Sequence, residues 1–472
     1  MVFSSYAFIF IFLPVVYAGY RLINIFKRPA LSKIWLAAAS FYFFSNGSAW
    51  FLPWFAASIV FNYFLCSILL KKKSKLLLLA GLIENIGLLG YYKYANFLIY
   101  STNRFFGLEI PGLDIVLPLG ISFFTFMLLS FLIDCYKGSV KDIDFIDYLL
   151  YVTFFPKLIS GPIVRYGDFT PQLHSERAFD FNFENLQKGF FIFSLGCAKK
   201  ALIANPLLSY TQGVFTDVST AGPLDIFVGL FTNLFAFYFD FSGYVDMAIG
   251  LGYFFNIKLP ENFDSPYRAR NIQQYWKKWH ITLGQFLNRY VFNNLYKPGR
   301  GVVSFCAATM ATFFISGLWH GAGFNYIFWG LLHGAAVSLV AVIAVYYPKK
   351  HFLPQRVAQC LTFIFLLISA SLYACPGMTA FFTMLKKLLN IGGWAAVYGA
   401  DAGYSLQMFF YDNVFVLIVL LLAAYLTFFA KTTKEYANRC MENKNYAFYA
   451  GILFVLAVFN MRTASTFLYF AF

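Results

Sequence analysis

A succession of apolar runs, each close to the ~20 residues a helix needs to cross a lipid bilayer, extends along almost the whole chain. They fall at about 2 to 20, 30 to 46, 49 to 70, 76 to 92, 116 to 136, 187 to 205, 224 to 251, 302 to 319, 323 to 347, 357 to 374, 407 to 430 and 446 to 460. No other feature constrains the fold so tightly. Apolar residues make up 60% of the 472 positions and charged ones 12%, against roughly half and a quarter in soluble domains. The expectation is an all-α polytopic membrane protein with ten to twelve crossings, some runs being re-entrant or interfacial.

The formal net charge of +15 is best understood as topology signalling on short loops, and nucleic-acid binding is not expected. No basic residue precedes the first run, while Arg21, Lys27, Arg28 and Lys33 follow it. A retained first span with an extracytoplasmic N-terminus is expected, not a cleaved signal. Lys71, Lys72, Lys73, Lys75, Lys137 and Lys141 then share the inner side if crossings alternate. On the same count residues 206 to 223, which lack Lys and Arg, form an outer connection. Residues 256 to 300, with Lys258, Arg268, Arg270, Lys277, Lys278, Arg289, Lys297 and Arg300, lie inside.

Residues 143 to 170 are apolar yet broken by Pro156, Gly161 and Pro162. Proline removes a backbone donor and clashes with the preceding turn, so a re-entrant or cavity-lining segment is expected there. Glu84 and Asp134 sit inside or near the ends of runs and suit structural pairing. Asp240 and Asp246 in FDFSGYVDMAIG do not share a helical face, and the basic residues of 268 to 289 are candidate partners. Residues 376 to 400 suggest an interfacial helix or loop. The seven cysteines have neither disulfide nor zinc spacing and suit packing. Without repeats or a soluble segment, a single domain over 1 to 472 is the simplest organisation.

Chemistry concentrates at about 240 to 334, around two of the five histidines. His280 lies in NIQQYWKKWHITL and His320 in ISGLWHGAG, each directly after a tryptophan, Trp279 and Trp319. A helix from about Asn271 to Tyr290 would place Trp276, Trp279, His280 and Leu283 on one face. Tryptophans so spaced also suit a helix lying at the membrane interface. An imidazole exchanges protons near pH 7, so one beside a cavity suits general acid or base work. Gly317, Gly321 and Gly323 around His320 permit close approach and departure from helix, or serve helix contact alone. His333, four residues after Trp329 and eight after Asn325, suits packing, and His174 and His351 fall in polar connections. No carboxylate or cysteine completes a metal site with these histidines, and none is expected.

These stretches together resemble the membrane-bound O-acyltransferase family, in its bacterial polysaccharide branch. The likeness rests on MVFSSYAFIFIFLPVVY, LPLGISFFTF, FFPKLISGPIVRY, FDFSGYVDMAIGLG, NFDSPYRARNIQQYWKKWHITL, GLWHGAGFNYIFWGLLHG and TFLYFAF, in order over nearly the whole chain. The chain departs from that branch at Asn288 and Arg289, where Arg-Asp is usual, and at Leu372 to Cys375.

The resemblance implies a ring of helices with re-entrant segments around a central funnel, in a bacterial inner membrane. It implies transfer of an acyl group, usually acetyl, from a cytoplasmic thioester for O-acylation of an extracytoplasmic polysaccharide or peptidoglycan. His320 matches the family's catalytic histidine and His280 its second active-site histidine, the two imidazoles being expected on one wet cavity. Trp276, Trp279, Trp319, Asn325, Asp240, Asp246, Lys277, Lys278 and Arg289 are expected to contact or attract substrate. No bound cofactor is implied. Acetyl-CoA would be the donor and a periplasmic SGNH-type acetyltransferase the partner. Alternatives are D-alanyl transfer to teichoic acid from a carrier protein, and a transporter or secretion scaffold without covalent chemistry.

Overall fold

In the computed structural model, which describes residues 1–348, 353–398 and 406–461, the apolar runs are helices. The only strand-like pairing among these residues is an isolated bridge between Phe263 and Trp279. Among the described residues, nine stretches are long and apolar enough to cross a membrane, from Phe8–Ile25 to Leu406–Phe429. The longest, Pro29–Lys71, holds two helices of 20 residues each, Pro29–Ser48 and Leu52–Lys71, joined by the short turn Ala49–Phe51. At 1.5 Å per residue each spans roughly 30 Å and can cross alone, so the crossings reach the expected range. His351 and the terminal 466–472 lie outside the described residues.

The chain folds as two units. The first comprises residues 1–197, 244–261 and those described from Tyr436 onward. Its centre is aromatic: Phe8, Phe12, Phe43 and Phe155 meet with ring centroids 5.3 to 6.1 Å apart. Residues 143 to 170 do not form one span. They break into Phe145–Thr153, Phe155–Leu158 and Tyr166–Leu173 and are largely buried, as irregular backbone in an apolar bundle must be. Asp147 is 2% exposed and takes Lys33 and His174 on its two oxygens, each at 2.5 Å. Glu84 accepts from Asn62 at 3.1 Å, and Asn62 accepts from Asn85 at 2.9 Å. Polar groups here are matched locally, which removes the cost of burying them. All seven cysteines are free thiols, and five are buried.

The second unit comprises residues 198–243 and 262–435, and it contains both histidines of interest. Two sequence boundaries move. Residues 206–215, expected within a connection, are helical. A π-helical turn, Lys199–Ala204, leads straight into Asn205–Phe215, and Pro206, which has no N–H to give the ladder, stands just after that irregular turn. The single helix expected over 271–290 is instead Ile272–Trp276, Ile281–Leu287 and a π turn Asn288–Phe292. The break is forced by long-range pairing. Asp264 N–H donates to Lys278 O and Ile281 N–H to Asn262 O, both at 3.0 Å, pulling 278–281 out of helix and onto 262–264.

Candidate active site

The helices Gly301–His320 and Phe324–Tyr346 form a tight hairpin. Their backbones touch: a Cβ on Gly317 would meet Tyr326 O and Gly330 Cα, and one on Gly330 would meet Phe313 O and Gly317 Cα. Gly321 and Gly323 are extended, a conformation open to any residue. Gly321 is needed for space instead, since a Cβ there would collide with the Tyr326 ring. His320 ends the first helix, and Trp329 and His333 follow one turn apart on the second.

A cavity of about 30 Å³ opens beside His320, room for a water or a group of that size. Helix Pro223–Phe254 contributes Asn233, Leu234 and Phe237 to its wall, and the irregular segment after 262 contributes Tyr267, Tyr275 and Trp279. The hairpin supplies His320, Trp329 and His333, and helix Gln355–Ala374 supplies Leu366, Ser369, Ala370 and Tyr373. The indole of Trp279 stacks on Phe237, Tyr275 and Tyr267 at 5.4, 5.7 and 6.0 Å. Tyr267 is tied by its hydroxyl to Leu234 O at 2.9 Å. Arg268 donates to Thr427 O at 3.0 Å and to Ala430 O, capping the end of helix Leu406–Phe429 and fixing the segment.

His320 is 3% exposed and meets Trp319, Trp329 and Tyr373 at 5.0, 5.0 and 5.5 Å between ring centroids. His280 is fully buried, with Phe241 at 4.8 Å and Trp319 at 5.9 Å. Both imidazoles therefore touch one indole and can lie no farther apart than those two distances combined. The cavity wall includes His320 and not His280, which stands on the Trp319 side.

The backbone of His280 is left-handed, φ 45° and ψ 52°. This conformation costs an L residue roughly 1–2 kcal/mol and persists where neighbours over-determine it. Asn262 does so here. Its Oδ1 accepts from Thr282 N–H and Thr282 Oγ1, each at 3.0 Å, and lies 3.3 Å from His280 Nδ1. Since that oxygen can only accept, Nδ1 carries the ring proton and Nε2 the lone pair. Burial pushes this imidazole down to about 3, so it stays neutral.

The other expected residues divide. Trp279 lines the cavity, whereas Trp276 stands behind it and donates to His333 Nδ1 at 3.3 Å. Trp319 is the indole shared by the two histidines. Asn325 donates to Leu372 O at 2.9 Å and is off the wall. Asp240 is ion-paired at 2.5 Å with Lys200, both buried. Lys200 projects from the π turn of the same unit. Asp246 belongs to the first unit and is 7% exposed. Lys277 is exposed, Lys278 pairs with Asp264 at 2.8 Å, and Arg289 lies over the Tyr290 ring at 5.7 Å. None of these three reaches the cavity wall. His333, assigned to packing on sequence, lines it, as does Ser369.

Residues 12–383 match the model of the membrane-bound O-acyltransferase family. The chain is 36% identical over 424 residues to the peptidoglycan O-acetyltransferase of Helicobacter pylori, covering 83% of this chain and 80% of that protein. It is 32% identical over 405 residues to the probable alginate O-acetylase of Pseudomonas aeruginosa, covering 84% and 76%. The teichoic acid D-alanyltransferase of Bacillus subtilis is 29% identical over 258 residues, covering 52% and 64%. With a family model over most of its length and relatives above 30% identity along both chains, this polytopic protein belongs to the membrane-bound O-acyltransferase family.

Proposed function

We propose that this protein O-acetylates an extracytoplasmic carbohydrate, peptidoglycan or a polysaccharide, with acetyl-CoA as the cytoplasmic donor. The observation that carries the proposal is the placement of His320 on an aromatic-walled cavity, where a reacting thioester would be shielded from bulk water. His320 takes the proton from an acceptor hydroxyl as its oxygen attacks the thioester carbonyl. The C–O bond forms, the C–S bond breaks, and the proton passes to the departing thiolate to give free CoA. A fixed base of this kind contributes roughly 10²- to 10⁴-fold, and orientation within the cavity supplies more. His280 acts from the far side of Trp319, holding that indole against His320 rather than touching the acyl group. Its strained backbone and the Asn262 anchor support such a positioning role.

In this reading the chain lies in a bacterial inner membrane with its N-terminus outside, and an SGNH-type transferase completes delivery to the polymer. The D-alanyl alternative is less favoured, because the likeness to that enzyme covers about half of the chain. The test uses the full chain in detergent with acetyl-CoA and a chitin-type oligosaccharide, following thiol release and acetyl ester formation. His320→Ala abolishes both and leaves the melting profile intact. Retained turnover in that variant removes the proposal.

A further inference from the structure

Behind the cavity wall, Trp276 donates its indole N–H to Nδ1 of His333 at 3.3 Å. An indole nitrogen has no acceptor capacity, so Nδ1 is the bare nitrogen and the ring proton sits on Nε2. Nε2 lies 3.1 Å from Oγ of Ser369, which therefore accepts. What remains is the proton of the serine hydroxyl itself. Its partner in the helix is Leu366 O at 3.3 Å, well beyond the ~2.7–2.8 Å of a good O–H···O bond. The helix does not impose that length. Ser371, two residues on, donates to Ile368 O at 2.6 Å, and Thr362 to Ala358 O at 2.8 Å. The proton of Ser369 is thus held more loosely than those of Thr362 and Ser371 on the same helix, and the residue lies on the cavity with His320.

We propose that the Ser369 hydroxyl donates a hydrogen bond to the acyl carbonyl oxygen, and that Trp276 and His333 are positioning residues acting through it. The inference rests on His320 serving as the base at this cavity. As the acceptor oxygen attacks, the carbonyl oxygen gains negative charge. A hydroxyl fixed at that wall, giving up only its long bond to Leu366 O, stabilises that charge by turning about one torsion. The chain polarises in one direction, indole to imidazole to hydroxyl to substrate oxygen, each bond strengthening the next. No proton is transferred along it, and the serine remains a hydroxyl throughout. His333 is 1% exposed and Ser369 1% exposed, so bulk water does not compete for the proton.

The experiment uses the full chain in detergent, acetyl-CoA as donor and a chitin-type oligosaccharide as acceptor. Ser369→Ala lowers kcat by about 10²-fold or more, the effect of deleting one such donor, with little change in the KM for acetyl-CoA. Ser369→Thr keeps the hydroxyl and restores most of the rate. His333→Gln lowers kcat in the parent but adds nothing in the Ser369→Ala background, because its effect passes through the serine. A purely structural role for His333 would add in full. Should His333→Gln fail to fold, Trp276→Phe breaks the same chain at its first link and is read the same way. Wild-type kcat in Ser369→Ala, or full additivity of the two changes, overturns the inference. If His320→Ala is dead while Ser369→Ala turns over normally, this assignment alone falls. If His320→Ala is active, the underlying reading falls with it.

Discussion

Gly330→Ala should damage catalysis more than stability, and the reason can be worked from the hairpin. The new Cβ would stand under 3.0 Å from the carbonyl oxygen of Phe313 and 3.1 Å from Gly317 Cα. Both are backbone atoms of the facing helix, so no side chain can swing aside. Ordinary contact is restored only if the two helices part by roughly 1 Å near this crossing. Overpacking of this kind costs about 1–3 kcal/mol, which a chain of this size can survive. The site cannot absorb the shift so easily. His320 ends one helix, three residues beyond Gly317, while Trp329 and His333 ride on the other beside Gly330. Parting the hairpin carries the proposed base, His320, away from the opposite wall, and a misplacement near 1 Å costs about 10²-fold in rate. Single-turnover acetyl release and the apparent melting temperature should be measured in the same detergent. Gly87→Ala is the control, since a Cβ at that helical position meets nothing within 4 Å. It should leave both quantities unchanged or raise the melting point slightly. A Gly330→Ala protein with wild-type single-turnover rate would show that the helix contact does not set the position of His320.

The buried pair Lys200–Asp240 gives an asymmetric expectation. Lys200→Met removes the cation beside a buried carboxylate and costs about 3–5 kcal/mol, whereas combining it with Asp240→Leu recovers part of the loss; equal instability of the single and double variants in thermal melts contradicts the pairing. The pH dependence of stability has a contribution from His280. Its imidazole, pushed down to about 3 from 6.5, excludes a proton that the unfolded chain binds below pH 6.5, so stability falls as pH drops from 6.5 toward 3. One such proton is worth about 1.4 kcal/mol per pH unit. His280→Asn, a residue that tolerates the left-handed backbone, should flatten the slope of stability against pH by that amount, and identical slopes would refute it.

The membrane helices were legible because length and apolarity are local properties, and crossing a bilayer leaves few alternatives. His280 and His320 stand out in the sequence by rarity and by the tryptophan before each, and the structure brings both onto Trp319. The break at 277–280 was not legible, because its cause is a contact to residues 262–264 that no periodicity reports. The partner of Asp240 did leave a trace. Lys199 and Lys200 stand inside an apolar run, where a cation asks for an anion. His333 and Ser369 left none. A histidine or serine on an apolar helix is usually satisfied by its own backbone or a neighbour, as Ser371 is. Only the 57-residue step from Trp276 to His333 distinguishes them.

The density of tryptophan around these histidines also has a cause other than an interfacial belt. Trp279, Trp319 and Trp329 are 3%, 4% and 5% exposed, so they do not face headgroups. A neutral imidazole in an apolar bundle needs an apolar surface for its ring and hydrogen bonds for its nitrogens. Leucine would provide only the first. Trp329 packs between His320 and His333, with ring centroids 5.0 and 4.5 Å away, and Trp276 adds an N–H donor while resting 5.5 Å from the His333 ring. Because indole can donate and never accept, the Trp276 bond also selects the tautomer of His333. Exchanging Trp276 for phenylalanine would keep most of the packing on His333 yet remove the donor that fixes its tautomer, so this part of the aromatic composition serves the imidazoles and not the lipid.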